Sequence, residues 1–232
     1  MIEGKKKENS EDVSKFRPIN LLNIGGKVLE KVLISRINHI FSQGIMKTNQ
    51  YGFTPQKGTI DVAMEVKDFV MVGLAAGEVI VLASLDIKGA LEAAWWPSIL
   101  NGLRACGCLK NIYNLTRSYF SQRTAILSPN SVQLEREISK GCPQGSCCSP
   151  GFSNIQYNSF MNLNFKAQTE VLAYADDLLL AIRGESVRAA ENYSNGELSK
   201  IAAWSKSNNI SFNEEKYKVM LVSRRKQRTQ SN

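Results

Sequence analysis

From Lys27 to Phe41 the apolar residues fall at Val28, Leu29, Val32, Leu33, Ile37, Ile40 and Phe41. Steps of three and four make one helical stripe, so the pattern predicts a helix over 27–41. Thr59 to Ala76 reads as a second helix. Glu78 to Leu85 is almost unbroken apolar sequence, as a buried strand requires, and it ends at Asp86. A helix is expected next, opening near Pro97, where a proline suits the first turn. Arg123 to Ser139 reads as a hairpin turning at Ser128-Pro129-Asn130-Ser131. Pro150 to Phe165 and Ser186 to Ser207 read as helices, and Tyr217 to Ser223 as a last strand. Between these elements, Pro18 keeps Arg17 out of helical backbone, and Tyr51 to Gly58 is a Gly/Pro loop. Helices and hairpins alternate irregularly, which argues for an α+β fold around an antiparallel sheet.

One short polar step stands out. Tyr174-Ala175-Asp176-Asp177 separates Val171-Leu172-Ala173 from Leu178-Leu179-Leu180-Ala181-Ile182. Two apolar runs so divided predict a hairpin with two carboxylates at its tip. Like charges that close repel, and neither has a basic neighbour in sequence. A divalent cation would hold both ionised; a solvated Asp-Asp turn is the plain alternative. Asp86 closes a buried strand, where an Asp serves as a helix N-cap or a ligand. If the fold brings the strand ends together, three carboxylates meet. Such a set suits two-metal phosphoryl transfer, in which one ion activates a hydroxyl and the other neutralises the leaving pyrophosphate.

Composition narrows the partners. The chain has 232 residues, 43% of them apolar, enough for a substantial core. Its net charge of +8 favours a polyanion, nucleic acid or an anionic surface. No apolar run is long enough for a bilayer, no basic amphipathic helix favours a membrane surface, and the N-terminus lacks a signal-peptide core. The expectation is an intracellular protein, nuclear or cytoplasmic and not secreted. Cys106, Cys108, Cys142, Cys147 and Cys148 are odd in number and lack C-x-x-C spacing. They read as free thiols, neither a disulfide framework nor a zinc site.

Taken in order, the motifs resemble the reverse transcriptase domain of non-LTR retrotransposons. Lys15-Phe16-Arg17-Pro18-Ile19 with Leu21-Leu22-Asn23 resembles the opening fingers motif, and Gly26 to Lys31 with Arg36-Ile37 the helix after it. Gln50-Tyr51-Gly52-Phe53 is similar to the Q-x-G-F loop. Leu85-Asp86-Ile87-Lys88-Gly89-Ala90 resembles motif A. Gly141-Cys142-Pro143-Gln144-Gly145-Ser146 resembles motif B, with Asn154 to Asn158 in its helix. Tyr174-Ala175-Asp176-Asp177 resembles motif C, and Phe212 to Lys216 motif D. Trp95-Trp96-Pro97 and the stretch Cys142 to Cys148 look most like arthropod site-specific elements.

The resemblance implies a right-hand polymerase with an antiparallel palm sheet backed by helices. It places fingers at 1–77, palm at 78–110, a fingers return hairpin and motif B loop at 111–145, palm again at 146–223, and a basic tail at 224–232. It implies RNA-directed DNA synthesis with an RNA template, a DNA primer and dNTPs. Asp86, Asp176 and Asp177 would hold two Mg²⁺ ions, Mn²⁺ being a substitute. Lys216 would be a general acid at the pyrophosphate, or one of several solvated lysines beside Lys218. Gln144 and Gly145 would lie against nucleotide and template, with Ala90, Leu91 and Tyr174 lining the same site. Arg17 and Arg36 would meet the triphosphate or the template backbone, although Arg17 also fits a plain surface residue.

Departures from the family pattern carry their own expectations. Ala-Phe-Asp usually follows the motif A aspartate; here Ala90-Leu91-Glu92 stands there. The family's aromatic lies under the incoming sugar and excludes a 2′-hydroxyl, so Leu91 predicts weaker discrimination against ribonucleotides. Tyr217 stands where motif D usually has threonine. Past Ser223 only the basic stretch around Arg224-Arg225-Lys226 follows, without primer grip or thumb. The chain therefore reads as a truncated copy from a longer polyprotein. Two functions compete on sequence: a reverse transcriptase, or an inactive retroelement fragment that only binds nucleic acid.

Overall fold

Val79–Asp86 forms the central strand β1 of a four-stranded antiparallel sheet. In the computed structural model, residues 19–40, 49–127 and 133–224 are described. The element order is α1 (Ile24–Ile40), α2 (Thr59–Ala75), β1, α3 (Trp96–Ala105), α4 (Lys110–Phe120), β2 (Thr124–Leu127), β3 (Leu134–Glu137), α5 (Ser149–Met161), β4 (Thr169–Tyr174), β5 (Asp177–Gly184), α6 (Val187–Ser207) and β6 (Lys218–Val222). The predicted turn at Ser128–Ser131, Phe41, the lead-in with Arg17, and the tail from Arg225 onward lie outside the described residues. Helix α4 was not among the predicted elements; the other described elements fall close to their expected places.

Two compact units divide the chain. One comprises residues 1–46 and 89–158, the other residues 47–88 and 159–232. The second unit holds the sheet, ordered β4-β5-β1-β6. β1 runs antiparallel to β5 from Val79↔Gly184 to Asp86↔Asp177, and to β6 from Ile80↔Val222 to Ser84↔Lys218. Alternation sorts its side chains. Val79 and Val81 cluster with Leu221 and with Ala190 of α6. Ile80, of the opposite parity, meets Gly73 of α2. Further along that face Leu82, Ser84 and Asp86 are only half-buried. The sheet thus has a packed face and, toward the Asp86 end, a more open one.

Caps are local and legible. Ser186 accepts from the Ala189 N–H at 3.1 Å and opens α6. The Asp61 carboxylate accepts from the Gly58 N–H at 2.7 Å at the start of α2. Trp96-Pro97 opens α3, with proline in the first turn as expected.

The first unit has its own core. Leu33, Ile37, Trp96, Ile99, Leu103, Phe120, Phe152 and Ile155 are buried together, each contributing about 1.5–3 kcal/mol. Trp96 and Phe120 stack with ring centroids 5.2 Å apart. Here the predicted stripe of α1 needs correction. Its buried residues are Glu30, Leu33 and Ile37, whereas Val28, Leu29 and Val32 are exposed. The buried face is rotated because Glu30 finds hydrogen-bond donors inside. All five cysteines are free. No helix among the described residues is long and apolar enough to cross a membrane.

Candidate active site

The hairpin β4–β5 turns through only two residues. Tyr174 pairs with Asp177, leaving Ala175 and Asp176 as the loop. Ala175 takes φ 55°, a value more usual for glycine and one that tight hairpin turns demand. Asp176 therefore sits in the turn itself, and Asp177 is the first residue of the returning strand. The turn is braced from outside. Tyr51 donates its N–H to the Ala173 carbonyl at 2.8 Å, and Ala173 donates to Asn49 at 3.0 Å. Gly52 then passes so close that a Cβ there would stand 2.0 Å from the Ala175 nitrogen. Only glycine fits, which explains the residue type in Gln50-Tyr51-Gly52-Phe53.

Asp86 stands directly across from Asp177 in the register. Opposed residues in antiparallel strands point to the same face, with Cβ atoms about 4.5–5.5 Å apart. The Asp177 carboxyl is pushed above its ordinary value, first by burial, then by Asp176 and Asp86, with Lys216 opposing. All three carboxylates therefore act on one locus. Lys216 closes it: its Nζ lies 3.0 Å from Asp86 Oδ2 and 3.2 Å from Oδ1. A short 3-10 turn, Glu214–Lys216, places it there. That turn is anchored by the Asn213 N–H to the Asp86 carbonyl (2.8 Å), and the Lys88 N–H reaches Ser211 at 2.9 Å.

Among the described residues, no group of three or more His, Cys, Asp or Glu side chains forms a ready-made metal cage. The locus still fits a hard cation, because its donors are carboxylate oxygens and an ammonium already occupies Asp86 as a stand-in positive charge. Mg²⁺ needs few protein oxygens and retains several waters.

In the first unit, Pro143-Gln144-Gly145-Ser146 is a turn closed by the Ser146 N–H to the Pro143 carbonyl (3.1 Å). Gly145 takes φ 95°. The Gln144 amide donates to the Glu92 carboxylate, and the Gln144 carbonyl accepts from the Asn20 N–H at 3.0 Å. Cys142 donates to the Leu91 carbonyl and Gly141 to that of Ala94, both at 2.7 Å. Trp96 Nε1 donates to the Gly141 carbonyl at 2.8 Å. Ala90 and Leu91 are half-buried; Arg36 is exposed on α1. Asp86, Tyr174, Asp176, Asp177 and Lys216 are thus gathered in the second unit. Ala90, Leu91, Gln144, Gly145 and Arg36 belong to the first, and Arg17 lies outside the described residues. Sequence reasoning missed Glu30 and Glu92 as partners of the motif B loop. Glu30 alone carried a signal, being three and seven residues before Leu33 and Ile37.

A strand-end aspartate facing an Asp-Asp hairpin on an antiparallel sheet defines the palm class of nucleotide polymerases. Residues 5–231 match the family described as reverse transcriptase (RNA-dependent DNA polymerase), and the chain belongs to that family. Among its relatives is a putative 115 kDa protein in the type-1 retrotransposable element R1DM of Drosophila melanogaster. It is 30% identical over 204 residues, which are 88% of this chain and 19% of that protein. The RNA-directed DNA polymerase from the mobile element jockey of the same fly is 25% identical over 214 residues, 88% of this chain and 23% of the relative. The chain thus spans about a fifth of the length of these relatives. Both belong to mobile elements of the non-LTR kind that the motif order anticipates, and the second is named an RNA-directed DNA polymerase. Among solved structures, apo telomerase from Candida tropicalis, truncated from its C-terminal domain, shares the fold. It has a TM-score of 0.65 at 15% identity, over 89% of this chain and 48% of that one.

Proposed function

We propose that this chain is the polymerase core of a reverse transcriptase, transferring nucleotidyl groups from dNTPs to a DNA primer on an RNA template. The observation that carries the reading is the opposition of Asp86 and Asp177 with Asp176 in the adjoining turn. Family membership supports the reaction type. In this reading the sheet β4-β5-β1-β6 with α6 is the palm. The primer 3′-hydroxyl oxygen attacks the α-phosphorus, a new P–O bond forms, and the bond to the bridging oxygen breaks to release pyrophosphate. Asp86, Asp176 and Asp177 would hold two divalent ions, Mg²⁺ or Mn²⁺. When bound, these acidify the attacking hydroxyl and offset charge on the leaving group. Lys216, once free of Asp86, would give a proton to the departing pyrophosphate. By the motif resemblance, Gln144 and Gly145 would bear on nucleotide and template, Leu91 on the sugar, and Arg36 on the triphosphate or the template backbone.

Leu91, in place of an aromatic ring, favours a second reading: a chain that binds nucleic acid without extending it. One assay separates the two. A DNA primer on an RNA template is incubated with dNTPs and Mg²⁺ or Mn²⁺, beside an Asp176→Ala control. Extension that the control abolishes supports the polymerase. Salt-sensitive binding without extension, under both ions, supports the second reading.

A further inference from the structure

Glu30 lies on α1 with none of its surface exposed. A carboxylate so placed is costly unless donors replace its water. Three do so, from two separate parts of the chain. The Tyr119 hydroxyl of α4 donates to Oε1. The Ser146 hydroxyl also donates to Oε1, at 2.7 Å. The Cys147 backbone N–H donates to Oε2 at 2.9 Å. The Glu30 backbone carbonyl takes a further contact from the Cys148 thiol at 3.1 Å. Ser146 Oγ in turn accepts from the Cys148 N–H at 3.1 Å. Tyr119 is itself held by Arg123, whose guanidinium lies 4.5 Å from the ring centroid.

Ser146 and Cys147 are the residues directly after Gln144 and Gly145. We propose that Glu30 is a positioning residue of the polymerase reaction: it fixes the downstream foot of the Gln144–Gly145 turn and so sets how that turn meets the incoming nucleotide. The proposal rests on the reverse transcriptase reading of this site. The upstream side is held separately, by Asn20, Glu92 and Leu91. Glu30 touches no substrate in this scheme and acts through the loop. Its chemistry is specific: two hydroxyls meet Oε1 and one backbone N–H meets Oε2. Glu30→Gln removes the charge and keeps the Cys147 N–H only if the Tyr119 and Ser146 hydroxyls turn from donating to accepting, which replaces charge-assisted bonds with weaker neutral ones. Tyr119→Phe removes one donor and leaves both loop contacts in place.

The experiment uses the full chain and two readouts. Thiol labelling, read peptide by peptide, follows Cys142 and Cys148, which are buried and whose thiols burial pushes up to about 12. Cys106, also buried, lies at the end of α3 away from these contacts and reports global unfolding. Steady-state extension gives KM for dNTP and kcat separately. Glu30→Gln should speed labelling of Cys148 and Cys142 about tenfold relative to Cys106. It should raise KM for dNTP about tenfold with kcat within roughly threefold of wild type, since misplacing the loop weakens ground-state nucleotide contacts. Tyr119→Phe should shift both readouts less. Unchanged relative labelling in Glu30→Gln overturns the proposal, as does a fall in kcat at constant KM, the mark of a smaller folded fraction. Should Glu30→Gln not fold, Ser146→Ala, which removes one loop contact and leaves Glu30 in place, overturns it by equalling wild type in both readouts. A wild-type chain that extends no primer counts against the reverse transcriptase reading instead, and relative labelling then decides whether Glu30 holds the loop.

Discussion

The ammonium of Lys216 contacts both carboxylate oxygens of Asp86, at 3.0 and 3.2 Å. A cation bound to Asp86 must displace it. Lys216 is 63% exposed, so the pair is worth about 0.2–1 kcal/mol. Lys216→Met should therefore tighten Mn²⁺ or Tb³⁺ binding roughly two- to fivefold, read by electron paramagnetic resonance or luminescence. The same variant should slow primer extension if Lys216 is the proton donor proposed above. Equal ion affinity in wild type and variant would show that Lys216 does not compete.

Asp177 supplies a pH prediction. Its folded-state carboxyl is raised above the ordinary aspartate value of 3.8, so the folded protein holds this proton more firmly than the unfolded chain. Its stabilising effect is complete below that value and is lost as pH rises through the folded pKa. At neutral pH without divalent ions, ionised Asp177 is a cost. Asp177→Asn should raise Tm at pH 7, and the gain should vanish in acid below the ordinary aspartate range. Thermal melts of both proteins across pH, in chelator, check the sign.

Gly52 and Ala175 predict opposite stability changes in one turn. A methyl at Gly52 would meet the Ala175 backbone at 2.0 Å, so Gly52→Ala should cost about 1–3 kcal/mol and abolish extension by displacing Asp176. Ala175→Gly relieves a positive φ and should stabilise by about 1 kcal/mol, roughly 2–4 °C in Tm. Denaturation midpoints of both variants provide the measurement.

Leu91 leads to a test of sugar selection. Wild type should incorporate ribonucleotides more readily than Leu91→Phe, which restores the ring of the family pattern. Competing dNTP and rNTP incorporation measures the ratio; strong dNTP preference in wild type would end this expectation.

Local signals in the sequence determined most of the elements and the carboxylates of the candidate site. The apolar run before Asp86 and the split run around Tyr174-Ala175-Asp176-Asp177 state strand and hairpin directly, because alternation and turn chemistry act over few residues. Motif order pointed to the family. Tertiary structure alone decided what depends on distant pairing: the register that sets Asp86 opposite Asp177, and the return of Lys216 across 130 residues. It also decided the fit of Gly52 against Ala175. Glu30 shows the limit most clearly. Hydrophobicity assigns Val28 and Val32 to the core of α1, yet Glu30 is buried. Its burial depends on donors from Tyr119, Ser146 and Cys147, about ninety and more residues away in sequence, and no local pattern encodes a hydrogen-bond partner at that separation.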